Sequence, residues 1–203
     1  TRNSFFSHLQ FLEEFYRLIL SGINADSLEL LNKLTIEVYA RKGITPTTDL
    51  SVLSPQDYPV FDDLAALIQE KLQSAKDDYN RACLKVIENY IAKFKSGGRN
   101  SNLWNGTSSF ETDENFVCFD FQKLLANKNG MIANAQMLLV LKYLENEVIR
   151  NRDYNLKNGT DRKIIVVVDE AHLFIDEKYS IALDFMYQLA KRIRKYNGME
   201  IVI

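Results

Sequence analysis

Residues 164–168 read Ile-Ile-Val-Val-Val and are followed at once by Asp169 and Glu170. Branching at Cβ restricts χ1 in a helix and packs well on a pleated surface, so five such residues in succession call for a strand. A run with no polar alternation implies a strand covered on both faces, as in parallel α/β sheets. Sheets of that kind hold their ligands at the carboxyl ends of their strands. Two carboxylates stand at that end here, and like charges so close are costly unless a cation compensates them.

The rest of the chain divides around this strand. Ser4–Leu20 carries Phe5, Leu9, Leu12, Phe15, Tyr16, Ile19 and Leu20 at three- and four-residue spacing, which predicts an amphipathic helix. Asp26 or Ser27 is placed to cap a second helix through Leu30, Leu31, Leu34 and Val38, ending near Gly43. Ile44–Pro59, rich in Thr, Ser, Asp and Pro, reads as a loop. Helices are expected again over Pro59–Leu72 and Asp77–Lys95, the latter stopped by Gly97 and Gly98. Phe116–Phe121 is aromatic and branched and predicts a strand. A helix over Met131–Arg150, a polar linker over Asn151–Asp161, a helix over Ser180–Tyr196 ended by Gly198, and a strand from Met199 complete the pattern. Strand–helix–strand–helix–strand implies parallel pairing. The expected organisation is an all-α module over residues 1–96, then an α/β sheet over residues 97–203.

Composition narrows the function classes. The net charge of −2 carries no global signature of nucleic-acid binding. Two cysteines and two histidines lie far apart, so neither a disulfide framework nor a zinc site is indicated. No apolar run reaches the ~18 residues that a membrane span requires. The sequence begins at Thr1 without methionine and stops at Ile203 inside a branched run, so it is expected to be a segment of a longer protein.

Mg²⁺ with a nucleoside triphosphate is the usual compensation for paired acids at such a strand end. In P-loop NTPases the Walker B aspartate holds Mg²⁺, and an acid after it orients the attacking water. The residues therefore predict Asp169 for Mg²⁺, through water, and Glu170 for the water. The plain alternative is a pair of acids that merely terminates a strand. A P-loop reads G-x-x-x-x-G-K-[ST], and none of the eight glycines here precedes a lysine. The phosphate-gripping loop is expected upstream of Thr1, and the segment alone is expected to bind ATP weakly and not to hydrolyse it.

Ile165-Val166-Val167-Val168-Asp169-Glu170-Ala171-His172-Leu173-Phe174, with the later run Arg192-Ile193-Arg194-Lys195-Tyr196-Asn197-Gly198, resembles the TraC/TrbE-type conjugation ATPases. These are the VirB-class motors of type IV secretion systems. Asn115–Phe121 and the turn Leu103-Trp104-Asn105-Gly106 resemble theirs too, so the likeness spans residues 97–203. It implies a partial RecA-like P-loop NTPase sheet preceded by an all-α insertion. It also implies an ATP-driven motor, hexameric at some stage, at the cytoplasmic face of the cell membrane. ATP and Mg²⁺ would be its cofactors, and other copies, further secretion subunits and DNA its partners. Two other readings stand beside it: a HerA/FtsK-like DNA translocase outside secretion, and a helical protein-interaction module without catalysis.

Arg194 is the candidate for an arginine finger reaching a neighbouring subunit. The plain alternative is that Lys191, Arg192, Arg194 and Lys195 complement a helix C-terminus. His172 completes an Asp-Glu-Ala-His string that in superfamily-two helicases couples nucleotide state to movement, or else it packs beside the strand end. Trp104 is expected to anchor its loop on the sheet.

Overall fold

The computed structural model of the chain describes residues 2–107, 114–126, 130–174, 180–193 and 196–203. It divides into two compact units, Thr1–Asn115 and Phe116–Ile203.

The first unit is helical: α1 (Arg2–Ile19), α2 (Ala25–Arg41), α3 (Phe61–Ser74), α4 (Asp78–Ile91) and the single turn α5 (Ser101–Trp104). Phe5, Ile19, Leu31, Leu67, Ile87 and Phe94 are fully buried in its core. A large apolar side chain removed from water contributes roughly 1.5–3 kcal/mol, so these positions outweigh any surface pairing. Helix ends follow capping chemistry. Asn24, in extended backbone, accepts a bond from the Ser27 N–H at 2.8 Å, so it caps α2 in place of the expected Asp26 or Ser27. At the other end Gly43 (φ +78°) closes a Schellman turn, with Gly43 N–H donating to Ala40 O and Ile44 N–H to Tyr39 O, both at 3.0 Å. Helix α4 ends at Ile91, four residues before the expected Lys95. Gly98 lies so close to the Ala92 and Lys93 carbonyls that any Cβ would collide with them.

Trp104 does anchor its loop, but on helices and not on the sheet. Its ring meets Phe15 edge-on at 5.2 Å and lies 5.5 Å from Phe94. Nearby, Asn105 Oδ1 accepts from the Asp62 N–H at 3.1 Å, and Asp62 Oδ1 accepts from the Ser96 N–H at 2.7 Å.

The second unit holds α6 (Gln122–Ala126), α7 (Gly130–Asn158), β1 (Ile164–Val168), α8 (Ser180–Ile193) and β2 (Gly198–Val202). Strands β1 and β2 pair in parallel, with Ile164 opposite Gly198 and Val168 opposite Val202. Among the described residues the sheet has these two strands, and the chain is mostly helical. Phe116–Phe121 is not a strand. Phe116 is largely exposed, and the Asp120 carboxylate caps α6 by accepting from the Gln122 N–H at 2.8 Å. Local capping there outweighs aromatic strand propensity.

Helix α7 continues through most of the expected linker, because the polar residues beyond Arg150 have structural work. Asn151 and Asn155 each donate from Nδ2 to the Arg162 carbonyl, at 2.9 and 2.8 Å, and so fasten the helix end to the chain entering β1. Gly159, at φ +62°, makes the reversal.

Among the described residues, strand β1 is covered on one face only. Val166 packs with Val148, Leu189 and Ile193, flanked by Ile164 and Val168, whereas Ile165 and Val167 remain 57% and 55% exposed. Both covering helices lie on the Val166 side. The opposite face, which pairs Ile165 with Met199 and Val167 with Ile201, stays open among the described residues. Gly198 does not end α8 but opens β2. A Cβ there would overlap Ile193 Cγ1 and lie 3.1 Å from the Ile164 carbonyl. The left-handed residue of this turn is Asn197 (φ +62°), a conformation asparagine tolerates.

Candidate functional site

The end of β1 is fixed by main-chain bonds to the end of β2. Ile203 N–H donates to the Val168 carbonyl at 3.0 Å, and Ala171 N–H donates to the Ile203 carbonyl at 2.9 Å. Ala171 is buried, while Asp169 and Glu170, between these two ties, are exposed. The two acids are thus held out at the carboxyl end of a parallel strand pair.

Glu170 adopts φ +52°, the left-handed region that a side chain with a Cβ enters at a cost of about 1–2 kcal/mol. Its N–H is taken by the preceding Asp169 Oδ1 at 2.9 Å. Its carboxylate meets His172, in the 3₁₀ turn Ala171–Phe174, with Oε2 3.1 Å from Nδ1. A bulky residue in this region marks a constrained site when the surrounding structure enforces it. Here the clip at Ala171 enforces it.

The predicted residues therefore fall into two groups. Asp169, Glu170 and His172 come together within one turn. Arg194 lies outside the described residues, and Arg192 stands in the last turn of α8. Helix dipole complementation remains sufficient reason for a basic α8 end. No group of three or more His, Cys, Asp or Glu side chains able to hold a metal exists among the described residues. Two carboxylates alone do not make a cage. They match the habit of Mg²⁺, which keeps several waters and takes one or two protein carboxylates together with phosphate oxygens. The donor set fits a metal that arrives with a nucleotide.

Sequence reasoning missed one charged group, Glu200. Its place opposite Val166 puts it on the helix-covered side of β2. It has a buried Oε1 with no partner among the described residues, and burial pushes its carboxyl above the usual range. Its place at the centre of a five-residue strand was the available signal.

Comparison with solved structures identifies a neighbour. The chain superposes on VirB4 of Thermoanaerobacter pseudethanolicus with a TM-score of 0.77 and 28% sequence identity, over 96% of this chain and 67% of that one. The chain is related to the VirB4/TraC-type secretion ATPases. No family model matches it, and no curated protein does. The VirB4 likeness covers the helical unit as well as the β1–β2 unit, which the resemblance in residues 97–203 could not do. It makes the chain a component related to type IV secretion ATPases. No helix among the described residues is long and apolar enough to cross a membrane.

Proposed function

We propose that the chain supplies the Walker B half of a RecA-like ATPase core in a conjugation or type IV secretion motor. Residues 97–203 form that half and residues 1–96 are a helical insertion in the core. The observation that carries this reading is the pair Asp169 and Glu170, held exposed at the carboxyl end of β1 in a parallel β1–α8–β2 unit. That end is where parallel sheets bind their ligands.

In this reading Asp169 holds Mg²⁺ through water, Glu170 orients the attacking water, and His172 links the nucleotide state to neighbouring structure. Bound Mg-ATP supplies the electrophilic γ-phosphoryl group and the cation that offsets both carboxylates. Glu170 accepts a hydrogen bond from the water and so aims its lone pair. Arg194 reaches the site of an adjacent copy in a hexameric ring and stabilises charge there. The lysine-bearing glycine loop is supplied from outside these 203 residues. The motor works in the cytoplasm at the inner face of the membrane, with other secretion subunits as partners and DNA or protein as the moved substrate.

Glu170→Gln in the complete protein tests the assignment. The amide preserves shape but accepts the water's hydrogen bond poorly. Turnover is expected to fall about a hundredfold or more, while ATP affinity, measured by titration calorimetry, stays within about threefold. Turnover near the wild-type value would overturn the reading.

A further inference from the structure

Glu170 and His172 stand on either side of Ala171, the buried residue among the three. Because the Ala171 N–H is committed to the Ile203 carbonyl at 2.9 Å, both flanking side chains leave the chain from a fixed anchor. The left-handed backbone at Glu170 (φ +52°) and the 3₁₀ turn carrying His172 then bring carboxylate and imidazole together, Oε2 to Nδ1, at 3.1 Å. An ionised carboxylate only accepts hydrogen bonds, so the nitrogen that faces it must carry the proton. In a neutral imidazole one nitrogen donates and the other accepts. Engaging Nδ1–H therefore leaves Nε2 as the acceptor.

We infer that His172 is a positioning residue: its Nδ1–H holds the Glu170 carboxylate in one orientation, and the same bond fixes the imidazole tautomer. Both side chains are well exposed, 70% for His172 and 64% for Glu170, so the pair adds little to stability. Its effect is on direction. A glutamate side chain has several rotamers, and a carboxylate that must aim a water gains from being held in one of them. His172 thus acts on the nucleotide site through Glu170. It does not donate Nε2–H to a phosphate while neutral. The kinetic consequence rests on the role proposed for Glu170, whereas the tautomer does not.

The test has a structural arm and a kinetic arm. The chain has two histidines, so long-range ¹H–¹⁵N correlation spectra distinguish them, with a His8→Gln variant giving the assignment. Recorded in mildly alkaline buffer, His172 is expected to show the Nδ1–H pattern. In Glu170→Ala it is expected to revert to the Nε2–H form that free imidazole side chains prefer in water. An Nε2–H pattern in the wild type, or a pattern indifferent to Glu170→Ala, would overturn the inference. In the complete protein His172→Ala is expected to lower kcat by about tenfold while KM for Mg-ATP moves less than about twofold. His172→Asn, whose side-chain amide N–H replaces Nδ1–H, should restore most of the loss. Asparagine doing no better than alanine would count against a positioning bond. If the tautomer behaves as stated but Glu170→Gln leaves hydrolysis intact, the Walker B reading fails and the contact stands.

Discussion

At the scale of single residues, the acidic pair at the strand end was legible in the sequence while its support was not. Asp169 and Glu170 were identifiable because polar groups break off an apolar run abruptly. The tie from Ala171 to Ile203 and the left-handed Glu170 were not, since both depend on where another strand ends. The acidic pairs at the helix starts show the same limit. Asp63 accepts from the Val60 N–H at 2.9 Å and Asp77 from the Asn80 N–H at 2.8 Å, so one acid of each pair is a cap. Glu200 gives a prediction at this scale. Burial raises its folded-state pKa, so its ionisation opposes folding: no penalty exists below the ordinary glutamate value of about 4.3, and stability is lost as pH rises through the folded value. Glu200→Gln removes the penalty. Amide exchange in β1 and β2, corrected for intrinsic rates, is expected to slow modestly at pH 7 and to be unchanged at pH 4. Faster exchange at neutral pH would mean that the carboxylate contributes favourably.

At the scale of elements, helices were legible wherever an apolar stripe ran on one face, and α1, α3 and α8 fall near their expected positions. Elements defined by long-range contacts were not. Phe116–Phe121 had the composition of a strand without a place in the described sheet, and α7 extended through asparagines whose partner is the Arg162 carbonyl. The β1 pattern predicted two covered faces, and among the described residues one is covered. Gly198 was read correctly as special but for the wrong reason: it permits contact with Ile193 and serves no helix cap. Gly198→Ala is therefore expected to destabilise the β1–β2 unit by about 1–3 kcal/mol, as overpacking does. Combined with Ile193→Ala, the loss should be smaller than the sum of the two single changes, since the clash then has no partner. Strict additivity in urea unfolding would show that the collision is not the cause.

At the scale of the whole molecule, the expected organisation was a helical part over residues 1–96 and an α/β part over residues 97–203, and the compact units are Thr1–Asn115 and Phe116–Ile203. The turn at Trp104 packs with Phe15 and Phe94, so it belongs to the helical unit Thr1–Asn115. Trp104 is also the only tryptophan, which makes its emission a reporter of that unit alone. Residues 1–115 produced by themselves are expected to keep a blue-shifted Trp104 emission and a urea midpoint within experimental error of that in the 203-residue chain. A clearly lower midpoint would show that the helical unit depends on the rest. The open face of the β1–β2 pair has another consequence, one of colloid behaviour. Ile165, Val167, Met199 and Ile201 form an apolar patch that is open among the described residues, and a net charge of −2 with an isoelectric point near 5.8 gives molecules little mutual repulsion. Dilute, moderately alkaline solutions are the conditions in which such a polypeptide stays dispersed, and mild acid is where it flocculates.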